Sequence, residues 1–490
     1  MSSNTAVSTT RRRLVSGAGA GLGLAAAGAA GARAQASTPL AGVVTTKDAP
    51  WRPAPTPVRR AFGAGEQPNV FLTGQTFQQI RGFGGCFNEL GWDALAQLTR
   101  SDRSAIMQEL FGENGANLSL CRMPVGANDF SRDYYSYDEV DGDFELRHFS
   151  IAHDDTSLVP FIKAAQRVRP NLRLWSSPWT PPAWMKTNKH YASTPNRPGA
   201  PPNGLTSAQV GREGTDMFVQ EERYFDAYAR YFGRFIDGYR ARGIPIEMVM
   251  PQNEFNSAQP FPSCCWTPQG LARFIPYLGR EMERRNVEIF FGTFERPDDG
   301  LFDTVMSAPD AARYIKGVGL QWGGKGALPF VHHSHPDLAI YQTEQECGDG
   351  QNDWRFARYA WSLFKTYLSN GACAYDYWNI ALTAGGVSRW GWAQNSLITV
   401  DAANHSYRFN HEYWLLKHFS AFVRPGAVRV QAMSFSGYDD VLAFRDPSGD
   451  IVIVTQNPLS EPQSFGLLNN GAVYDVQLPP DCFASFRLPS

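Results

Sequence analysis

The 490-residue chain is poor in features that would assign it to several large classes of protein. It has no excess of one charge: 45 Lys and Arg stand against 47 Asp and Glu, a formal net charge of −2. That balance removes the electrostatic footprint of a nucleic-acid or anionic-membrane binder. Cysteine is scarce, seven in all, with no C-x-x-C pair to suggest zinc. The odd count leaves at least one thiol free or paired between chains, and the spacing, with Cys264 and Cys265 adjacent, identifies no disulfide. Past the leader, no stretch approaches the roughly 18 apolar residues that span a bilayer. The GFGG run at Gly82–Gly85 lacks the G-x-G-x-x-G spacing of a dinucleotide site.

What is abundant is aromatic: 13 Trp, 19 Tyr and 32 Phe. Most must be core, but such a supply of Trp also suits a site that stacks on the flat apolar faces of sugar rings. Residues 1–36 read as an export signal rather than part of the fold. Arg11–Arg13 form a basic segment, Ser16–Gly31 a weakly apolar Gly/Ala run, and Ala34-Gln35-Ala36 a cleavage site. The paired arginines and mild apolar run are similar to a twin-arginine signal, so a bacterial protein delivered to the periplasm or outside the cell is expected.

Residues 37–79 begin as a Pro- and Thr-rich leader, and the stretch from Phe71 to Gln79 is expected to join a C-terminal β-unit. Residues 80–421 alternate eight apolar strand candidates with amphipathic helices. The strand candidates start at Ile80, Leu118, Leu172, Ile246, Glu288, Val318, Leu338 and Ala372. Between them, SDRSAIMQELFG opens on a Ser/Asp cap, TPQGLARF on a Thr N-cap with Pro at the first helical position, and Tyr224–Tyr239 carries an aromatic stripe of helical period. This predicts an α/β fold, a (β/α)8 TIM barrel. Residues 422–490 hold only short alternating strands and turns, which predicts a small appended β-sandwich.

In such barrels chemistry sits at the C-terminal ends of the strands. Two candidates finish in glutamate, IEMVMPQNE at Glu254 and LAIYQTE at Glu344. Two carboxylates at one rim are what glycoside hydrolysis requires, one to protonate the leaving oxygen and one on the opposite face of the sugar. Asn253 is placed to hydrogen-bond the sugar's 2-hydroxyl. Glu346 belongs to the ECGDG turn beyond the strand and reads as a supporting acid.

The chain resembles glycoside hydrolase family 30, the glucosylceramidase-like retaining β-glycosidases. The match rests on GFGGCFNEL (82–90), LCRMPVGANDF and its continuation (120–155), SSPWTPPAWMKTN (176–188), PQNE (251–254), GLQW (319–322) and DYWNIAL (376–382), in family order. The resemblance implies retention of configuration, with Glu254 as acid/base and Glu344 as nucleophile. It also implies a substrate shell of Arg122, Asp129, Trp179, Trp322 and Trp378. A turn cap is the lesser alternative for Asp129. Each Trp alone would read as core, but their place at strand ends three, six and eight moves all three toward the pocket. No metal or organic cofactor is expected, and the partner is a carbohydrate or glycolipid substrate. Phe255 stands where many relatives have Pro, and Gln321-Trp322 where glucosylceramidases have His and an aromatic. The Pro/Gly-rich segment Tyr191–Val210 is expected to shape the pocket mouth. These departures bear on the aglycone and leave the chemistry alone. Cleavage of terminal β-glucosyl residues is the expected activity. An endo-glycanase such as a β-1,6-glucanase, a β-xylosidase or β-fucosidase, and a non-catalytic carbohydrate-binding barrel are the alternatives.

Overall fold

The structure, a computed structural model, describes residues 42–489; the segment 1–36, expected to be an export signal, lies outside the described residues. Eight parallel strands close into a barrel. They are β1 (Gly82–Cys86), β2 (Leu120–Pro124), β3 (Arg173–Ser177), β4 (Met248–Val249), β5 (Glu288–Phe294), β6 (Ile315–Gln321), β7 (Ala339–Glu344) and β8 (Ala372–Asn379). Leu120, Trp175, Met248, Met250, Phe290 and Tyr341 fill the interior, so the barrel is packed and not a pore. At Gly84 a Cβ would lie 1.6 Å from the Leu120 carbonyl oxygen, so only glycine lets β1 approach β2 this closely.

The helices form where capping and periodicity require. Thr267 Oγ1 accepts the Gly270 N–H, and Pro268 occupies the first position of helix Pro268–Glu283. Helix Glu222–Ala241 buries Phe225, Tyr228, Tyr231, Phe232, Phe235 and Tyr239 on one face. That face meets Phe274 of the next helix, with Tyr228 and Phe274 stacked 5.3 Å apart. No helix among the described residues is long and apolar enough to cross a membrane.

Two strand ends differ from expectation. β4 stops at Val249, five residues before Glu254, because Pro251 offers no ladder N–H and the chain then turns, with Glu254 at φ +44°. β6 stops at Gln321, and Trp322, at φ +45°, opens a short 3-10 turn. A register shift between Leu320 and Gln321 sets Gln321 opposite Glu344 of β7, the kind of irregularity that re-aims side chains beside active sites.

The chain's early strands, Gly42–Thr46 to Val70–Gln79, join the six strands from Val428 to Leu488 in one ten-stranded sheet. Residues from both halves of that sheet, such as Ile453 and Phe486 on one side and Phe465 and Val476 on the other, share a single apolar cluster. The sheet therefore curls over itself as a sandwich. Alternation does the rest: Val441 and Ala443 face that cluster, while Leu442 and Phe444 join the barrel's core. A further three-stranded sheet, Ala381–Thr383, Ile398–Asp401 and Ser406–Phe409, follows β8 and was not expected from the pattern. All seven cysteines are buried and free.

Candidate active site

The C-terminal ends of β2 to β8 converge on a cavity of about 320 Å³ lined by Asp129, Trp179, Glu254, Trp322, Glu344 and their neighbours. Glu344, the last residue of β7, is nearly buried, and the strand holds its carboxylate at the floor. Its Oε2 accepts from Arg122 Nη1 (2.9 Å) and Gln321 Nε2 (3.1 Å), and its Oε1 accepts from Trp322 Nε1 (2.8 Å). Glu346 is not part of this arrangement. It faces the outside of the rim, with Lys325 Nζ at 2.6 Å and the Tyr359 hydroxyl donating at 2.7 Å.

Glu254 is less restrained. Its carboxyl accepts one hydrogen bond, from the same Gln321 Nε2 at 3.1 Å, and its N–H donates to Thr293 Oγ1 at 2.9 Å. Gln321 thus bridges the two acids, and the bridged oxygens stand no farther apart than twice that distance. Glu254 and Trp322 both take left-handed backbone conformations, which cost non-glycine residues on the order of 1–3 kcal/mol and cluster at functional sites.

Arg122, fully buried on β2, organises the floor. Its Nη2 donates to Asn253 Oδ1 (2.6 Å) and Ser177 Oγ (2.8 Å), and its guanidinium lies 4.4 Å from the Trp179 ring centroid and 5.3 Å from that of Trp378. Asn253 Oδ1 also accepts from Thr293 Oγ1 at 2.8 Å, so the carboxamide oxygen is committed and its amino group is the end left for a ligand. Trp378 is buried behind Trp179, stacked at 5.1 Å. Trp378 Nε1 and Asp129 Oδ1 are buried with no hydrogen-bond partner, and of the two only Asp129 lines the cavity. All eight residues singled out from the sequence are thereby brought to one rim, with Trp378 beneath the surface.

The electrostatics separate the two acids. Burial, and then the charge of Glu344, push the Glu254 carboxyl up to about 7. Burial also lifts Glu344, but Arg122 and the hydrogen bonds from Trp322, Arg122 and Gln321 favour its charged form. One acid is poised to hold a proton and the other to stay ionised. Two carboxyl groups so placed can attack one bond and deliver a proton to it.

Sequence reasoning missed two participants. Gln321 was visible only as a departure from a motif. Glu295 lines the same cavity, almost fully buried, with its carboxyl held well above the usual range by burial and then by the charge of Glu254. The signal was present: EIFFGTF is followed directly by Glu295, a third strand ending at an acid. The segment Tyr191–Val210 braces the mouth indirectly. Asn196 Nδ2 donates to the Trp390 carbonyl (2.8 Å) and Arg197 Nη2 to that of Gly391 (2.9 Å), supporting the turn that carries Trp392 to the cavity wall.

Comparison with known proteins agrees with this geometry. Residues 80–423 match the glycosyl hydrolase family 30 TIM-barrel domain. Putative glucosylceramidase 3 of Caenorhabditis elegans is 29% identical over 394 residues, covering 74% of this chain and 71% of that protein. Endo-1,6-beta-D-glucanase of Neurospora crassa is 26% identical over 404 residues, covering 78% and 79%. The crystal structure of SrfJ from Salmonella typhimurium superposes with a TM-score of 0.80 at 22% identity, covering 92% of this chain and 99% of that one, which carries the fold. A closed barrel with paired acids at its rim, matched by the family's model over most of its length, leads to one conclusion: the chain belongs to glycosyl hydrolase family 30 and is a glycosidase.

Proposed function

We propose that this glycosidase cleaves terminal β-glucosyl residues with retention of configuration. The observation that carries the reading is the single Gln321 amide bridging Glu254 and Glu344, which ties the two acids to one donor in one cavity, as a double displacement needs. Glu344, ionised against Arg122, attacks the anomeric carbon. Glu254 gives its proton to the leaving oxygen, and the glycosyl-enzyme is then hydrolysed by water that Glu254 deprotonates. Asn253 holds the 2-hydroxyl, and Asp129, on the cavity wall with its Oδ1 unpaired, takes a further hydroxyl of the same ring, while Trp378 backs the Trp179 ring. A cavity of about 320 Å³ is at the small end for ligand sites and suits one sugar ring with part of the next, in support of action at a chain end.

A second reading, endo-cleavage of a β-1,6-glucan, is favoured by a cleft of about 560 Å³ on the far side of Trp322, lined by Phe356 and Tyr359, where further sugars could stack. The experiment is hydrolysis of aryl β-glucoside, β-xyloside and β-fucoside and of β-1,6-glucan, followed by NMR. Release of β-glucose as the first-formed anomer from the aryl glucoside is expected. α-Glucose appearing first would sink retention, and oligosaccharides from the glucan with the glycosides untouched would replace exo by endo action. The leader, with seven buried thiols that need no oxidation, supports export of a folded chain. N-terminal sequencing of exported protein, expected to begin near Ser37, tests that.

A further inference from the structure

Glu295 is the one carboxyl group in the cavity that the double displacement leaves without a task. It follows directly on β5, the strand beside the one that leads to Glu254, whereas Glu344 stands on β7. Glu254 is the like charge that acts on it most strongly, and both line the one cavity. It therefore lies on the proton donor's side of the cavity, where the leaving group departs.

The side chain is held but not satisfied. Only 3% of Glu295 is exposed, yet neither carboxyl oxygen has a hydrogen-bond partner. Arg296 Nη1 is 3.4 Å from Oε1 without hydrogen-bonding geometry, while Arg296 Nη2 is held by Glu213 Oε1 (2.5 Å) and the Asn256 carbonyl (3.3 Å). The turn after β6 clamps the backbone: a Cβ on Gly323 would lie 2.7 Å from the Glu295 carbonyl oxygen, and one on Gly324 2.1 Å from that of Phe294. A buried carboxyl with empty hydrogen-bonding positions is costly to keep. A hydroxyl offered by a ligand removes that cost, and an alkyl chain does not.

We propose that Glu295 selects the leaving group, hydrogen-bonding a hydroxyl of a second sugar and so favouring saccharide over alkyl or lipid leaving groups. This rests on Glu254 as the proton donor but not on the identity of the sugar being cleaved. Sites built to hydrogen-bond a hydroxyl discriminate strongly against partners that lack it.

The test compares two leaving groups of similar basicity, so that both need the Glu254 proton: the β-1,6-linked glucose disaccharide and hexyl β-glucoside. For E295L, and for E295A as a second variant that only removes atoms, the ratio of kcat/KM for disaccharide over hexyl glucoside is expected to fall about tenfold or more. E295Q, which can still hydrogen-bond a hydroxyl, is expected to keep a ratio nearer that of the unmodified enzyme. A ratio unchanged within about twofold in both E295L and E295A, or raised, overturns the proposal. Should the unmodified enzyme hydrolyse neither glucoside, the glucosyl reading falls instead. The same ratio is then read on xylobiose against hexyl β-xyloside, with the same outcomes deciding.

Discussion

The two ends of the barrel carry the same chemical groups and use them differently. At the N-terminal end, Arg173 pairs with Glu247 at 2.7 Å and Arg81 with Glu288 at 3.6 Å, all with a third or more of the side chain in water. At the C-terminal end, Arg122 and Glu344 pair at 2.9 Å with almost no exposure, beside Glu295 and Asp129, which keep buried oxygens that accept no hydrogen bond. The cavity at the N-terminal end is the larger, about 600 Å³ against about 320 Å³. Size therefore does not mark the site. What marks it is charge taken out of water and left incompletely satisfied, a state that costs stability and is relieved by substrate.

The comparison breaks if charge removal at the two ends has equal consequences. The largest contrast expected is in catalysis. Glu344→Gln should lower kcat/KM on an aryl glycoside by about 10⁴-fold or more, the scale on which enzymes lose a covalent nucleophile. Glu247→Gln should leave it within about twofold, since Glu247 only pairs with Arg173 at the opposite end. Steady-state kinetics on the two variants decides it, and comparable losses would mean that the rim is not where the bond is cleaved.

Stability gives a smaller contrast. Arg122→Met would strand the Glu344 carboxylate in a buried floor, at an expected cost of about 3–5 kcal/mol. Arg173→Met breaks a pair already bathed in water and should cost under about 1 kcal/mol. Urea denaturation midpoints report both, and equal shifts would remove the distinction between a buried and an exposed pair.

How much of this was legible follows from what periodicity can carry. The eight apolar runs, the Thr267-Pro268 cap and the aromatic stripe from Tyr224 to Tyr239 are local signals, and each appears where the pattern put it. Glu254 and Glu344 were found because apolar runs led to them. The run before Glu254 is not all strand, however: the ladder ends at Val249, and an apolar pattern does not reveal that Pro251 and a left-handed residue turn the chain. Gln321 reaches both acids only through a register shift between β6 and β7, a pairing property absent from either strand alone. Glu295 was legible by the rule that found the other two and was passed over. The small sheet after β8 was hidden because its strands, of three or four residues each, are too short to show alternation.

The smallest effect sharpens the comparison by measuring what the rim costs as a function of pH. Glu254 has an ordinary carboxyl value of 4.5 when unfolded and about 7 when folded. Between those values the folded protein binds more protons than the unfolded chain, so stability falls as pH rises through that window. The loss is complete above about pH 7. Glu254→Gln cannot titrate and should escape it, gaining on the order of 1–3 kcal/mol over the unmodified protein at pH 8 relative to pH 4.5. Melting temperatures of the two proteins should therefore converge at acid pH and separate at alkaline pH, the variant melting higher. In the proposed mechanism the same proton governs turnover of alkyl glycosides, whose rate should decline above about pH 7 as Glu254 ionises. If the melting curves stay parallel at all pH values, the Glu254 carboxyl is not held protonated by its burial, and the division of labour between the two acids must come from the substrate.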